Sequence, residues 1–569
     1  VGSVNASQAQ PSTNKSSRGL VAWTSRSPQI ALTLLTVACL LPFLNKAFHI
    51  DDPIFIWTAQ QITKHPLDPY GFSATWWSKA TPMWHIQQNP PGAAYYIALI
   101  GSIAGWSERA LHIGFLFPGI AVILCVYRLA RRFTDEPMLA ALITLVAPGF
   151  LVSATTVMCD VTTLALWLLA IIFWMEGLDE PSQPIYLAIS GVLIGVCALT
   201  KYFGVSLIPL LLVYSLVRQR GARRSLLYLL IPIVMLGGYE GWTHHLYGRG
   251  HITEATSYQS TVRQEEGWSG RALAGLAFAG GCTLPALTFL PLLWSRKQML
   301  RIGIVSALLA LCFFLGWIGL GTVYEYEHWL HATLGWMSMH VFFFAAGGIS
   351  LFALAVVDYR KTRSADSLLL LLWILGTMFF AIVVNWTVSA RSVLPMIPAV
   401  GILIARRLDG IQATLGRLRP VTIAVPLVIS GAIALWVAAA DMAVANSART
   451  AANYIREKTH DDYRKPWFQG RWGFEYYMES FGAQPVDPDG DGTKFGDLVV
   501  IPRYNTALFL FPLKTTRPEF ANFEIHTWLA SMNPDSGAGF YFSGWGPVPY
   551  VFGPVPTQQY LMARVLQEK

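Results

Sequence analysis

Two carboxylates stand side by side in "FHIDDPIFIW" (residues 48–57), directly after an apolar run of membrane length. Charge at a membrane edge is costly and marks a functional candidate. Asp51 reads as a general base that accepts a proton at the bilayer surface. Asp52 reads as a substrate-binding neighbour or as a helix cap, since the following Pro53 suits a first helical turn. Asp160, in "TTVMCDVTTLALW", sits where one apolar run meets the next. It reads as a cap at a tight turn or as a second carboxylate beside Asp51, orienting a substrate. Asp51 and Asp160 together could also hold a divalent cation, although two carboxylates alone select no metal.

Cations complete the set. Lys201 closes "GVCALTKYFG" at a helix end, where positive charge is favoured. It would either snorkel to the interface or meet a lipid phosphate at that depth. Arg249, Arg263 and Arg391 offer the planar fork that fits phosphate oxygens. In "QQNPPGAAYY" (87–96), Gln88 and Asn89 precede a Pro-Pro helix start, with Tyr95 just inside. Helix starts attract anions, and the same stretch could equally be an interfacial turn. Trp84, with Trp76 and Trp77, suits an aromatic belt or a face that stacks on sugar rings. Glu325 is an acidic candidate in a later loop. "DPDGDGTKFGD" opens like a calcium loop through Asp487, Asp489, Asp491 and Gly492, but Leu498 replaces the closing Glu, which favours a plain acidic turn. Phosphate-loop and dinucleotide fingerprints are absent, so an enzyme built here needs an activated donor other than a nucleotide.

These residues need elements to hold them, and composition says what kind. Of 569 residues, 54% are hydrophobic and 13% charged, about half the charge of a soluble chain. Mean hydropathy is +0.44. The chain reads as an α-helical membrane protein with about thirteen spans, near 28–45, 109–127, 137–157, 160–177, 184–201, 203–217, 225–243, 272–294, 301–320, 340–357, 366–386, 392–406 and 420–440. The stretch 91–106 is short, starts with prolines and reads as an interfacial or re-entrant helix. The six cysteines lie in or beside apolar runs with no metal spacing, and read as packing residues.

The net charge of +8 is better explained by cytoplasmic loops than by nucleic acid. Basic clusters at 128–132, 218–224, 296–301, 359–363 and 406–420 all fall on one side if thirteen helices start from a cytoplasmic N-terminus. That orientation puts Asp51, Asp52, Asp160, Lys201, Arg249, Arg263, Glu325 and Arg391 together on the opposite face. Residues 1–27 read as a disordered cytoplasmic arm and 28–440 as the transmembrane domain, with a first outer loop at 46–108. Residues 441–569 read as a small α/β extracytoplasmic domain. There "RTAANYIREK" and "GFEYYMESFG" suggest helices, and "DLVVIP" and "YVFGPV" suggest strands.

The carboxylate after the first span, the "NPPG" motif, the Asp after the third span, "ALTK" and "ARSVLPMIPA" form one ordered pattern. It resembles the bacterial GT-C integral-membrane glycosyltransferases, and is similar to the lipid A aminoarabinose transferases and, more distantly, the protein O-mannosyltransferases. The resemblance covers about residues 28–406. It implies a GT-C fold and transfer of a sugar from a polyprenyl-phosphate donor, with inversion, to a glycan, lipid or protein acceptor. It places the enzyme in the bacterial cytoplasmic membrane with its site facing the periplasm. By the same resemblance Asp51 is the catalytic carboxylate, Asp52 stands where Glu is usual, Asp160 is the second acid and Lys201 touches the carrier phosphate. Asn89-Pro90-Pro91 replaces the Lys-Pro-Pro of the aminoarabinose transferases, one phosphate-binding cation fewer. Arg263 and Arg249 both fit the family's loop arginine. The reading from another class is a transporter or flippase for a lipid-linked glycan. It would use the same charges as a pathway, but no internal repeat of the transporter kind is visible.

Overall fold

The computed structural model describes residues 27–77, 79–218, 222–262, 267–318, 331–416, 418–460, 462, 464–488, 492–509 and 518–566. The expectations for residues 1–26, for Arg263 and Glu325, and for Asp489 and Asp491 lie outside them.

The chain is a mostly helical, multi-pass membrane protein. Among the described residues, seven helices are long and apolar enough to cross a bilayer: Glu108–Ala130, Cys159–Asp179, Arg224–Tyr247, Arg296–Phe314, Thr333–Thr362, Ala365–Val384 and Pro420–Lys458. Four shorter apolar helices, Pro28–Phe43, Gly92–Ala104, Ile185–Ala198 and Tyr202–Arg218, accompany them. Proline accounts for much of the difference from thirteen unbroken spans. The apolar run at 137–157 is split into Pro137–Leu145 and Pro148–Ser153. That at 272–294 is split into Trp268–Cys282, Pro285–Thr288 and Leu290–Leu293. A proline inside a run lacks the amide for the helical bond and crowds the carbonyl one turn back. Gly92–Ala104, at 13 residues, rises only about 20 Å, short of the ~30 Å hydrocarbon core.

The last apolar run does not stop at 440. Pro420–Lys458 is one helix of 39 residues, so "RTAANYIREK" continues a span and is not a separate element. Beyond it lies a five-stranded mixed sheet. Gln484–Pro485, Trp467–Phe468 and Leu498–Pro502 run parallel, and Gln558–Arg564 and Glu519–Phe523 continue antiparallel. The helix Trp472–Ser480 covers this sheet together with the end of the long helix, through Ala451, Ile455, Phe474, Met478, Val500 and Tyr560. Gly482, at φ +85°, ends the exit from that helix as "GFEYYMESFG" suggests. In "YVFGPV" only Val551–Phe552 is strand, paired with Leu529–Ala530.

The stretch 529–551 joins a different core. Leu529, Phe540, Tyr550 and Val551 are buried in the cluster formed by the membrane helices. Phe540 O accepts a hydrogen bond from Ala390 N at 2.8 Å, and Ser543 N donates to Val388 O at 2.9 Å. The tail therefore clamps the segment that begins the short helix Ala390–Val393.

Candidate active site

Four of the residues singled out by type and position meet in one chain of ion pairs. Arg391 Nη1 lies 2.5 Å from Asp51 Oδ2, and its Nε lies 2.8 Å from Asp160 Oδ2. Lys201 Nζ donates to the other oxygen of Asp160 at 2.6 Å. Asp51 is 28% exposed, Lys201 18% and Arg391 13%, whereas Asp160 is 2% exposed. The innermost carboxylate thus anchors two cations, and the outermost is the one open to an incoming molecule.

Each member is placed by a local device. Asp160 is the second residue of the helix Cys159–Asp179, where the helix dipole favours a carboxylate. Lys201 follows the helix Ile185–Ala198, its amide bonded to Cys197 O at 3.0 Å. The "NPPG" turn packs on that exit: Gly92 N donates to Leu199 O at 2.9 Å. A Cβ at Gly92 would stand 2.6 Å from Thr200 Oγ1 and 2.7 Å from Leu199 O, so only glycine allows this approach. Ser389 caps the short helix of Arg391 through Ser392 N.

Asp52 is fully buried and makes no ion pair with this chain of charges. Its two oxygens accept the amides of His49 and Val157, both at 2.8 Å. Val157 lies three residues before Asp160, so Asp52 staples the Asp51 loop to the Asp160 turn. Burial pushes its carboxyl up to about 7, against the lowering effect of both amides and of Lys46. Burial also holds His49 at about 4, effectively neutral.

Residues 88–237 match the family model described as dolichyl-phosphate-mannose-protein mannosyltransferase. The match spans the "NPPG" turn, Asp160 and Lys201. Over those residues the chain is similar to a family of membrane glycosyltransferases. Among solved structures it is similar to the oligosaccharyltransferase of Archaeoglobus fulgidus, at 15% identity and a TM-score of 0.49 over 83% of this chain. The chain spans 66% of the length of that enzyme. It is also similar to ArnT from Cupriavidus metallidurans in the apo state (12% identity, TM-score 0.44, 98% of this chain and 100% of that one). Against the same protein bound to undecaprenyl phosphate the values are 14%, 0.41, 84% and 93%. None of the curated proteins matches in sequence.

The chain holds its other candidate residues apart from the central four. Arg249 pairs with Glu254 at 2.8 Å, and Glu254 also binds His85 Nδ1 at 2.5 Å. Trp84 stacks on Tyr247, with rings 6.2 Å apart and 8° from parallel. Tyr95 OH donates to Pro66 O at 2.5 Å. Gln88 Nε2 bonds His85 O at 2.6 Å. Asn89 N bonds Gln87 Oε1 at 3.2 Å. Gln87 O in turn meets His251 Nε2 at 2.7 Å, and His251 Nδ1 meets Tyr202 OH at 2.7 Å. The loop "QQNP" therefore supports Lys201 through its neighbour Tyr202. Among the described residues, no group of three or more His, Cys, Asp or Glu is arranged to hold a metal. The gap between Asp51 and Asp160 is bridged by the Arg391 guanidinium, which does not fit a divalent cation shared by those two carboxylates.

Two features of the chain had little signal in residue type and position alone. One is a sealed ion pair, Lys46 Nζ to Asp441 Oδ2 at 2.5 Å, with both side chains 0% exposed. The other is Arg471 in the tail, whose charge is acted on by Glu475 first, then by Tyr258 and Asp51. Its signal was at most the Gly470-Arg471-Trp472 turn in "FQGRWGF".

Proposed function

We propose that this glycosyltransferase moves a sugar from a polyprenyl-phosphate donor to a periplasmic acceptor, with inversion at the anomeric carbon. The observation that carries the reading is the ion-pair chain Asp51–Arg391–Asp160–Lys201, open at its Asp51 end. The acceptor oxygen attacks the anomeric carbon as its proton passes to Asp51. The bond from that carbon to the phosphate oxygen breaks with its electron pair, and Lys201 and Arg391 stabilise the charge that grows on the leaving phosphate. Asp160 does no chemistry; it fixes both cations. The carboxylate sits at a bilayer edge because the polyprenyl tail keeps the reacting carbon there.

The placement in a bacterial cytoplasmic membrane, N-terminus inside, thirteen crossings and the sheet-bearing tail outside rests on the one-sided basic clusters. A protein hydroxyl is the second acceptor reading, favoured by the description of the matched family model; lipid A and other glycans fit the same chemistry.

The test is transfer of label from a panel of radiolabelled polyprenyl-phosphate sugars into membrane extract, by purified wild type and Asp51→Asn in detergent. Transfer by wild type, reduced about 10²–10⁴-fold in the variant, is the expected result. Partition of the label among lipid, polysaccharide and protein names the acceptor. Equal transfer by both proteins removes Asp51 as the base.

A further inference from the structure

The central cations are already engaged: Arg391 on Asp51 and Asp160, Lys201 on Asp160. Arg471 is different. It is partly buried, its Nε is shut off from solvent, and its guanidinium has no hydrogen-bond partner among the described residues. It lies 5.9 Å from the ring centre of Trp77, a favourable seat for a cation. Tyr258 stacks on the other partner of this corner, Trp77, at 6.4 Å and 14°. After burial, Glu475 acts most strongly on the charge of Arg471, followed by Tyr258 and then Asp51, and Asp51 also acts on Tyr258.

The chain spends structure to hold Arg471 there. Arg471 N donates to Asn505 Oδ1 at 2.8 Å, and Asn505 Nδ2 donates back to Arg471 O at 3.1 Å. Trp472 takes a left-handed φ of +66°, a strained state for a bulky residue. A Cβ at Gly473 would fall 1.9 Å from Phe48 O, so this turn presses directly on the loop that carries Asp51. Glu475, the acid that acts most strongly on Arg471, forms no ion pair with it. Glu475 accepts from Thr75 Oγ1 at 3.2 Å, and burial beside Glu479 holds its carboxyl well above the ordinary range. A partly buried guanidinium with no hydrogen-bonded acid is costly unless a ligand supplies one.

We infer that Arg471, delivered by the tail, is the seat for a phosphate group beside the Asp51 carboxylate. This rests on the transfer reading, and the phosphate has two sources: the donor, or an acceptor that carries one. The fork of Arg471 would bind it through paired N–H groups.

Arg471→Gln and Arg471→Lys test it against wild type, with thermal unfolding as a check on folding. One arm titrates undecaprenyl phosphate in detergent. The other measures transfer with acceptor extract before and after alkaline phosphatase. For a donor phosphate, Arg471→Gln weakens undecaprenyl phosphate binding about tenfold, and Arg471→Lys recovers part of it. For an acceptor phosphate, donor binding is unchanged, acceptor KM rises about tenfold with kcat less affected, and phosphatase treatment abolishes the difference between variant and wild type. Unchanged donor binding together with unchanged acceptor KM overturns the proposal. If wild type transfers no sugar from any donor, the transfer reading falls, and the undecaprenyl phosphate titration alone decides on Arg471.

Discussion

Two clusters of paired charges differ in what fills their valences. In the sealed one, Lys46 donates to Asp441 at 2.5 Å and to Thr155 at 3.2 Å. Asp441 also accepts from Tyr541 at 2.8 Å and Ser531 at 3.3 Å. Both charged groups find partners within the chain, drawn from four separate segments, and neither ionic side chain touches solvent. In the open cluster, Asp51, Lys201 and Arg391 remain accessible, and only Asp160 is enclosed. The sealed cluster has no valence left for a substrate. It ties the first outer loop and the tail to the last helix, and that frame presents the open cluster. Charge at a membrane edge therefore marks two different things, and accessibility separates them.

The same substitution in both clusters sharpens this contrast. Lys46→Met leaves Asp441 buried without its cation and should cost about 3–5 kcal/mol of stability, read as a lower unfolding midpoint and poor yield. The molecules that do fold should transfer sugar at nearly the wild-type rate. Lys201→Met should do the opposite. It removes a cation from the leaving phosphate, lowers kcat about 10²–10³-fold and moves the unfolding midpoint little, because Lys201 is partly exposed. A Lys46→Met protein that is stable but inactive would break the distinction between frame and site.

The open cluster was legible in the sequence for a physical reason. Asp51, Asp160, Lys201 and Arg391 are each an ionisable residue at the end of an apolar run, and charge bias puts those ends on one face. That argument needs only local hydropathy and loop charge. The frame was not legible, because Lys46 and Asp441 are 395 residues apart and their pairing depends on docking of the last helix. Arg471 was missed for the same reason: nothing local says that its turn lands on Phe48. The helical breaks at Pro148, Pro285 and Pro291 were visible as residues, yet the apolar runs around them read as continuous spans. Asn89 reads from the sequence as a donor-phosphate contact and Gln88 as a substrate contact, because the motif is polar at a helix start. Their bonds are to neighbouring backbone and to Gln87, which stiffens the turn under Lys201.

Asp52 stands between frame and site, and its titration gives the smallest and most specific effect. Its folded carboxyl lies at about 7 against an ordinary 3.8, so the folded state holds the proton more tightly than the unfolded chain. The stability this contributes is fully present below pH 3.8 and is lost as pH rises through about 7. Asp52→Asn cannot titrate, but it also loses one of the two amide bonds, since its Nδ2 is a donor. The variant should therefore be less stable than wild type at low pH. The gap between the two unfolding midpoints should narrow by a few degrees between about pH 4 and pH 7. His49 titrates in the opposite sense, but it is common to both proteins and cancels in the difference. A gap that widens with pH over that interval would mean that the amides of His49 and Val157 outweigh burial. Asp52 would then be an ionised clamp on the loop that carries Asp51.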